Sequence, residues 1–268
     1  VRRCPGGSVL RAIVIGPRSS GSPRPAASLP PLPVRSTCPL CGHDCAVPVC
    51  DRDGKSGRPL DVVACAACGF VRQDPLPRAG ELASWYRGHY RSEYKGVARP
   101  RLRHVWRAAG LAVERLGFVA RFVPPGTRTL DVGAGGGEFV ALLARSGYDA
   151  HGVEPDDGYA GFARTTYGAE VRTGSIDSLP DDAQWDLITL FHVLEHVADP
   201  VAALSRLRAR LVPGGTLVVE VPNVEYLRCA PSNLFFAAHV HYFSGRTLLR
   251  AAAPVSYTHL RAHETKAN

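Results

Sequence analysis

The sequence has no methionine, at position 1 or elsewhere. Its beginning is therefore read as a non-AUG start or an arbitrary 5′ end. It has no run of 18 or more apolar residues, which excludes a helical membrane span from the expectation. Acidic residues are absent from positions 1–36, which carry six arginines. Without that leader, 26 basic and 24 acidic residues remain, so the overall charge of +8 shrinks to about +2. The rest of the chain thus lacks the basic surplus that a nucleic-acid partner would call for. A hydrophobic secretion signal is also missing ahead of the eight cysteines, which favours a reducing, cytoplasmic setting over a disulfide framework.

What is present divides the chain into five stretches. Residues 1–36 are rich in Pro, Ser, Gly and Arg and read as a disordered or spurious leader. Residues 37–74 are cysteine-rich. Residues 75–123 read as helices, with Leu102, Val105, Trp106, Ala109, Val113 and Leu116 recurring at helical spacing. Residues 124–253 alternate strand and helix: RTLDVG, DAHGVE, AEVRTG, WDLITLFHV and TLVVEVPN as strands, with EFVALLARSG, DGYAGFARTTYG and VAALSRLRARL as helices. Repeated units of this kind predict a doubly wound, mostly parallel α/β sheet with ligands at the carboxyl ends of its strands. Residues 254–268 do not continue the pattern and read as a non-native tail, with the natural chain cut near residue 253. The last two strands of such a sheet are then expected to be missing, leaving an unpaired edge.

The stretch LDVGAGGGEF carries the functional argument. Asp131 ends a strand, and Gly133, Gly135 and Gly137 follow at alternate positions. Glycine permits positive φ and lets a ligand approach the backbone closely. The loop feeds a helix N-terminus whose free N–H groups can hold a carboxylate. Glu154 ends the next strand, 23 residues after Asp131, where a carboxylate can accept both hydroxyls of a ribose. The dehydrogenase pattern GxGxxG fails, because Glu138 occupies its last glycine position. A P-loop would end in Gly-Lys-Ser or Gly-Lys-Thr, whereas this loop ends in Gly-Glu-Phe.

Cys38-Pro-Leu-Cys41 and Cys65-Ala-Ala-Cys68 are two knuckles, each followed by glycine, with 23 residues between them. Tight CxxC turns aim both thiolates at one ion. Four thiolates would close a tetrahedral Zn2+ site with no open position for water, a structural role. Cys45, Cys50 and His43 read as extras, and Cys4 and Cys229 as incidental.

HVLEHVADP follows the fourth strand. His192, Glu195 and His196 are candidates for orienting an acceptor or removing its proton, or for capping the next helix. His239, His241 and Asn223 lie beyond the fifth strand and could line the same pocket. Tyr86, Tyr90 and Tyr94 with Arg91 and Lys95 read either as a lid or as an amphipathic helix face.

In order, CPLCG, CAACGF, YRSEYKG, LDVGAGGGEF, GVEP, HVLEHVADP, PGGTLVVEVPN and HVHYF resemble bacterial class I S-adenosylmethionine-dependent methyltransferases with an N-terminal zinc-binding segment. More distantly the chain is similar to ubiquinone-biosynthesis O-methyltransferases and sugar methyltransferases. The resemblance covers roughly residues 37–253. It implies that Asp131, Gly133, Gly135 and Gly137 contact the methionine end of the cofactor and that Glu154 binds its ribose. Relatives often place an aspartate against adenine after the third strand. Here Asp177 is displaced from that position, which leaves the backbone with Ser175 and Ile176. His192, His196 and His241 fall on the acceptor side, with His192 also beside the cofactor. The implied acceptor is a small molecule, methylated on oxygen or carbon. A non-enzymatic cofactor-binding module and a nucleic-acid methyltransferase are the alternatives.

Overall fold

The computed structural model describes residues 8–15, 37–78, 80–82, 100–226, 234–253 and 259–266. The proposed tyrosine lid, Cys4, Cys229 and most of the leader lie outside them. In chain order the elements are strand Ser8–Ile15 (β1), strands Ala46–Arg52 (β2), Pro59–Cys65 (β3) and Val71–Gln73 (β4), and helix Leu102–Val119 (α1). Strand Arg128–Val132 (β5), helix Glu138–Arg145 (α2), strand Asp149–Glu154 (β6), helix Asp157–Phe162 (α3) and strand Glu170–Thr173 (β7) follow. Strand Trp185–Phe191 (β8), helix Pro200–Arg208 (α4), strand Leu211–Pro222 (β9), strand His241–Tyr242 (β10), helix Gly245–Ala252 (α5) and strand His259–Lys266 (β11) complete the set.

Two sheets result. The larger runs β11-β1-β9-β8-β5-β6-β7, with β5 to β9 parallel. The smaller runs β10-β4-β3-β2 and is antiparallel. The parallel strands are apolar on both faces, as a sheet covered on both sides requires: Leu187, Ile188, Leu190, Leu217 and Val218 are fully buried. Helix punctuation follows the sequence. Gly147, at φ +87°, ends α2, and Asp199 accepts the Ala202 N–H at 2.9 Å ahead of Pro200, capping α4.

Three details differ from expectation. The fifth parallel strand starts at Leu211, five residues before the TLVVEVPN run, so Pro213-Gly214-Gly215 lies inside β9. Only part of the apolar stripe that marked α1 is covered: Val105, Ala109 and Leu116 are half-buried, and Leu116 packs against the core. Leu102, Trp106 and Val113 are exposed, while Ala112, Phe118 and Val119 face the core. The sheet edge beside β9 is also not open. No hairpin follows β9 among the described residues. Its two places are taken by β1, antiparallel to β9, and by β11, antiparallel to β1. Both come from stretches expected to be disordered or non-native. The physical reason is visible in SVLRAIVI, a short β-branched run hidden among Pro and Ser.

Docking of β1 is tied to charge. Arg11, buried in the middle of the strand, pairs with the buried carboxylate of Glu220 on β9 and with Glu114 of α1 at 3.0 Å. Arg115 of α1 reaches Glu220 from the other side at 2.7 Å. Removing one partner of a buried pair leaves the other charge undercompensated. Arg11→Ala is therefore expected to lower stability by about 3 kcal/mol, read by urea unfolding. An unchanged midpoint would show that β1 does not hold the edge.

The small sheet is fused to the large core. Cys38, Cys65, Cys68 and Phe70 belong to the same buried cluster as Leu130, Leu190 and Leu217. Among the described residues, no helix is long and apolar enough to cross a membrane.

Candidate functional site

The glycine loop leaves β5 at Asp131 and enters α2 at Glu138. Gly133, Gly135 and Gly137 all have positive φ, at 74°, 57° and 83°. A Cβ on Gly133 would run into the Val193 side chain, and one on Gly137 into Ala163. The N–H groups of Gly133 and Ala134 bond the Val153 carbonyl at 2.8 and 3.1 Å, folding the loop over the end of β6. There Glu154 is buried. Its carboxylate accepts the Gly135 N–H at 2.8 Å and the Asp156 N–H at 3.2 Å. Loop and acid, 19 residues apart, thus form one unit at the carboxyl ends of adjacent parallel strands.

Asp131 lies beneath the loop, buried, and accepts the Thr189 hydroxyl at 2.6 Å. Burial pushes its carboxyl up to about 7, reinforced by the nearby Glu154 and Glu220 charges and opposed by Thr189 and Arg115. Next to it, Phe139 meets Phe191 edge-on at 5.2 Å, and the Arg115 guanidinium sits 4.1 Å over the Phe191 ring. On the other rim, Ser175 and Ser178 form a capping box around a short turn that holds Ile176 buried. Asp177 pairs outward with Arg206.

The four candidate histidines separate. His192 is the non-glycine residue with positive φ among those described, at 59°. It spans two buried carboxylates, with Nδ1 3.2 Å from Glu195 Oε1 and Nε2 3.4 Å from Glu220 Oε1. Strained backbone of this kind collects at functional sites. His196 donates from Nδ1 to the Ala238 carbonyl at 2.7 Å, with Nε2 3.9 Å from Glu195. His239 brings Nε2 to 4.0 Å from the same carboxylate. His241 does not join them. It is fully buried against Phe70, with Nε2 bonded to the Ala198 carbonyl at 3.2 Å, and burial takes its pKa down to about 4. Asn223 is buried, and its side-chain oxygen accepts the Glu225 N–H at 3.0 Å.

The two cysteine knuckles converge. The four sulfurs lie within 4.8 Å of one another, with Cys38–Cys68 and Cys41–Cys65 each at 3.5 Å. Thiolates at 2.3 Å from one tetrahedral ion stand about 3.8 Å apart, so the set fits. Burial opposes ionisation of Cys65, but the Cys68 and Ala67 N–H groups outweigh it and bring the thiol down to about 6. Burial pushes Cys68 up to about 12. Cys45 is exposed, and the Cys50 thiol turns to the Arg52 carbonyl.

Sequence reading missed the contacts by which the cysteine module holds the segment that carries His239. Gln73 donates to the Ala237 and His239 carbonyls at 3.0 and 2.9 Å, Asp53 accepts the Ala237 N–H at 2.7 Å, and β10 pairs with β4. Lys55 lies 3.2 Å over the Phe236 ring. A Gly54-Lys55-Ser56 triplet does occur here, but it sits in the β2–β3 hairpin, where Val49 stands in place of a P-loop's first glycine. The segment and the hairpin border a cavity of about 850 Å3 lined by Asp53, Lys55, Arg58, Gln73 and Ala237. Arg115 and Glu220 were missed too. An acid inside the apolar run LVVEVP was the available signal.

Strand order, loop and buried acid define a Rossmann-like α/β protein. The chain belongs to a methyltransferase-domain family, whose sequence model matches residues 99–255, more than half of it. It is 33% identical over 117 residues to the ubiquinone biosynthesis O-methyltransferase of Xanthomonas campestris pv. campestris (strain B100), covering 41% of this chain and 49% of that one. It is 35% identical over 119 residues to the enzyme of the same name from Azorhizobium caulinodans, covering 41% and 47%. The chain thus spans about half the length of the curated relatives it matches. Among solved structures it is similar to the 1,6-didemethyltoxoflavin-N1-methyltransferase of Burkholderia thailandensis, with a TM-score of 0.53 and 17% identity over 73% of this chain and 84% of that one.

Proposed function

We propose that this chain binds S-adenosylmethionine at the glycine loop and transfers its methyl group to oxygen or carbon of a small-molecule acceptor, sugar-like or quinone-like. The observation that carries this reading is the Gly135 N–H···Glu154 closure, which puts the loop and a buried carboxylate at one cleft. When bound, the cofactor supplies a sulfonium-activated methyl group. Asp131 and the backbone of Gly133, Gly135 and Gly137 would hold its methionine end, and the Glu154 carboxylate the ribose. Ser175 and Ile176 would flank the adenine, since Asp177 is committed to Arg206. Methyl transfer by in-line displacement needs alignment and exclusion of water more than a covalent intermediate. Here Phe139, Phe191 and Val193 supply the apolar wall. His192, bracketed by Glu195 and Glu220, is suited to hold or take an acceptor proton, with His196 beside it. Cys38, Cys41, Cys65 and Cys68 would hold a structural Zn2+, a use of thiols that suits a reducing, cytoplasmic compartment.

The Asp131 shift makes a pH prediction. A bound methionine ammonium favours the ionised carboxyl, so binding expels its proton. Affinity for S-adenosylhomocysteine should rise about tenfold from pH 6 to pH 8. In the empty chain the sign is opposite: a raised carboxyl favours folding at low pH, and that contribution is lost as pH rises through about 7. Asp131→Asn should flatten the binding curve, and a slope that survives the substitution would remove Asp131 from the site. Turnover is tested by release of S-adenosylhomocysteine from S-adenosylmethionine over a panel of sugar and catechol acceptors. Release that depends on acceptor is expected. None with any acceptor, from a chain that binds the cofactor, would favour the binding-module alternative.

A further inference from the structure

We infer that Glu195, His196 and His239 form a second metal site, separate from the four thiols, that takes a divalent transition-metal ion at the acceptor edge of the cleft. Their ligand atoms all lie within 4.8 Å of one another. Glu195 Oε1 is 3.9 Å from His196 Nε2 and 4.0 Å from His239 Nε2. Two ligands at about 2.1 Å from one tetrahedral ion stand about 3.4 Å apart, so both distances close on a shared ion after a contraction of about 0.5 Å.

The surroundings are those of a built site. The Glu195 side chain is 1% exposed, and its Oε2 has no hydrogen-bond partner. A buried carboxylate oxygen without a donor is costly, and a cation gripped by both oxygens of Glu195 would relieve it. His196 is oriented by its Nδ1–H on the Ala238 carbonyl, which leaves Nε2 as the lone-pair nitrogen toward Glu195. The Val240 N–H bonds the Glu195 carbonyl at 2.9 Å, fixing the two ligand segments against each other. His239 is packed 4.0 Å from the Phe236 ring, which fixes the plane of its imidazole. The side chains of His196 and His239 are 15% and 13% exposed, so an ion and an acceptor atom can still enter. His192 Nδ1, 3.2 Å from Glu195 Oε1, is the competing partner and borders the same position. Two imidazoles and one carboxylate favour Zn2+, Co2+ or Fe2+ over Mg2+. Bound there, the ion would grip an acceptor oxygen. That role rests on the methyl-transfer reading, whereas binding of the ion does not.

The test is Co2+ titration of the full chain stripped with chelator, with S-adenosylhomocysteine binding measured in parallel. Two equivalents are expected. The first develops the intense thiolate charge-transfer absorption of a sulfur site, and the second adds only weak bands. His239→Ala and Glu195→Gln should abolish the second and keep the first. In the unsubstituted chain, X-ray absorption with the second ion should show a nitrogen and oxygen shell with imidazole scattering. A single equivalent held by thiolate, a sulfur shell around the second ion, or a second equivalent that survives both substitutions would overturn the inference. None of these outcomes touches cofactor binding, so the two readings fail separately.

Discussion

Glu154→Ala is expected to weaken S-adenosylhomocysteine binding about 100-fold or more. The carboxylate is buried at the end of β6, so its interactions are poorly screened by solvent. Ribose hydroxyls would donate to it in charge-assisted hydrogen bonds worth about 1.5–3 kcal/mol each. Two such bonds amount to at least two decades in affinity. The substitution also frees the Gly135 and Asp156 N–H groups that the carboxylate holds at 2.8 and 3.2 Å, so the loop loses its anchor. Glu154→Gln retains one acceptor oxygen and should fall between. Calorimetry at fixed pH distinguishes the three proteins, with thermal unfolding as the check on folding. An alanine variant with unchanged affinity would place the ribose elsewhere.

Loss of the metal proposed for the four thiols should have the largest effect on stability. Cys65→Ser, or prolonged chelation, is expected to lower the melting temperature by about 10 °C or more, because a structural zinc contributes on the order of 10 kcal/mol to folding. Three of the four cysteines are buried in the same core cluster as β5, β8 and β9, so the damage would not stay local. It should also reach the acceptor side. Gln73 and Asp53, on or beside the module's strands, hold the 237–240 segment that carries His239. Cofactor affinity should suffer less than stability, since none of the loop contacts at Gly133, Gly135 or Glu154 involves the module. Differential scanning fluorimetry with and without chelator reads the result. An unchanged melting temperature in a demonstrably metal-free chain would mean that the four thiols are not a structural centre.

How far the sequence announced this structure depends on the range of the interactions. The loop, the strand alternation and the knuckles are local patterns. Gly133, Gly135 and Gly137 need positive φ whatever the tertiary context, and CxxC turns converge by their own geometry. They were legible for that reason. The β1 insertion was not, because eight strand-forming residues in a Pro- and Ser-rich leader acquire meaning only against the exposed edge of β9. The exposed Leu102, Trp106 and Val113 show the same limit: a helical period reveals the helix but not which face the protein covers. The histidines divide likewise. His239 and His241 are two residues apart in HVHYF. The pairing of β10 with β4 turns His241 into the core, while the backbone bonds of Gln73 hold His239 toward Glu195. No local signal separates them.

The central claim is that the glycine loop is a working S-adenosylmethionine site. Its most direct test is a calorimetric titration of the full, metal-loaded chain with S-adenosylhomocysteine at pH 8. The account predicts saturable binding of one equivalent, displaced by S-adenosylmethionine and accompanied by proton release. A chain with a cooperative unfolding transition that gives no binding heat, and retains no labelled ligand in equilibrium dialysis, would contradict it.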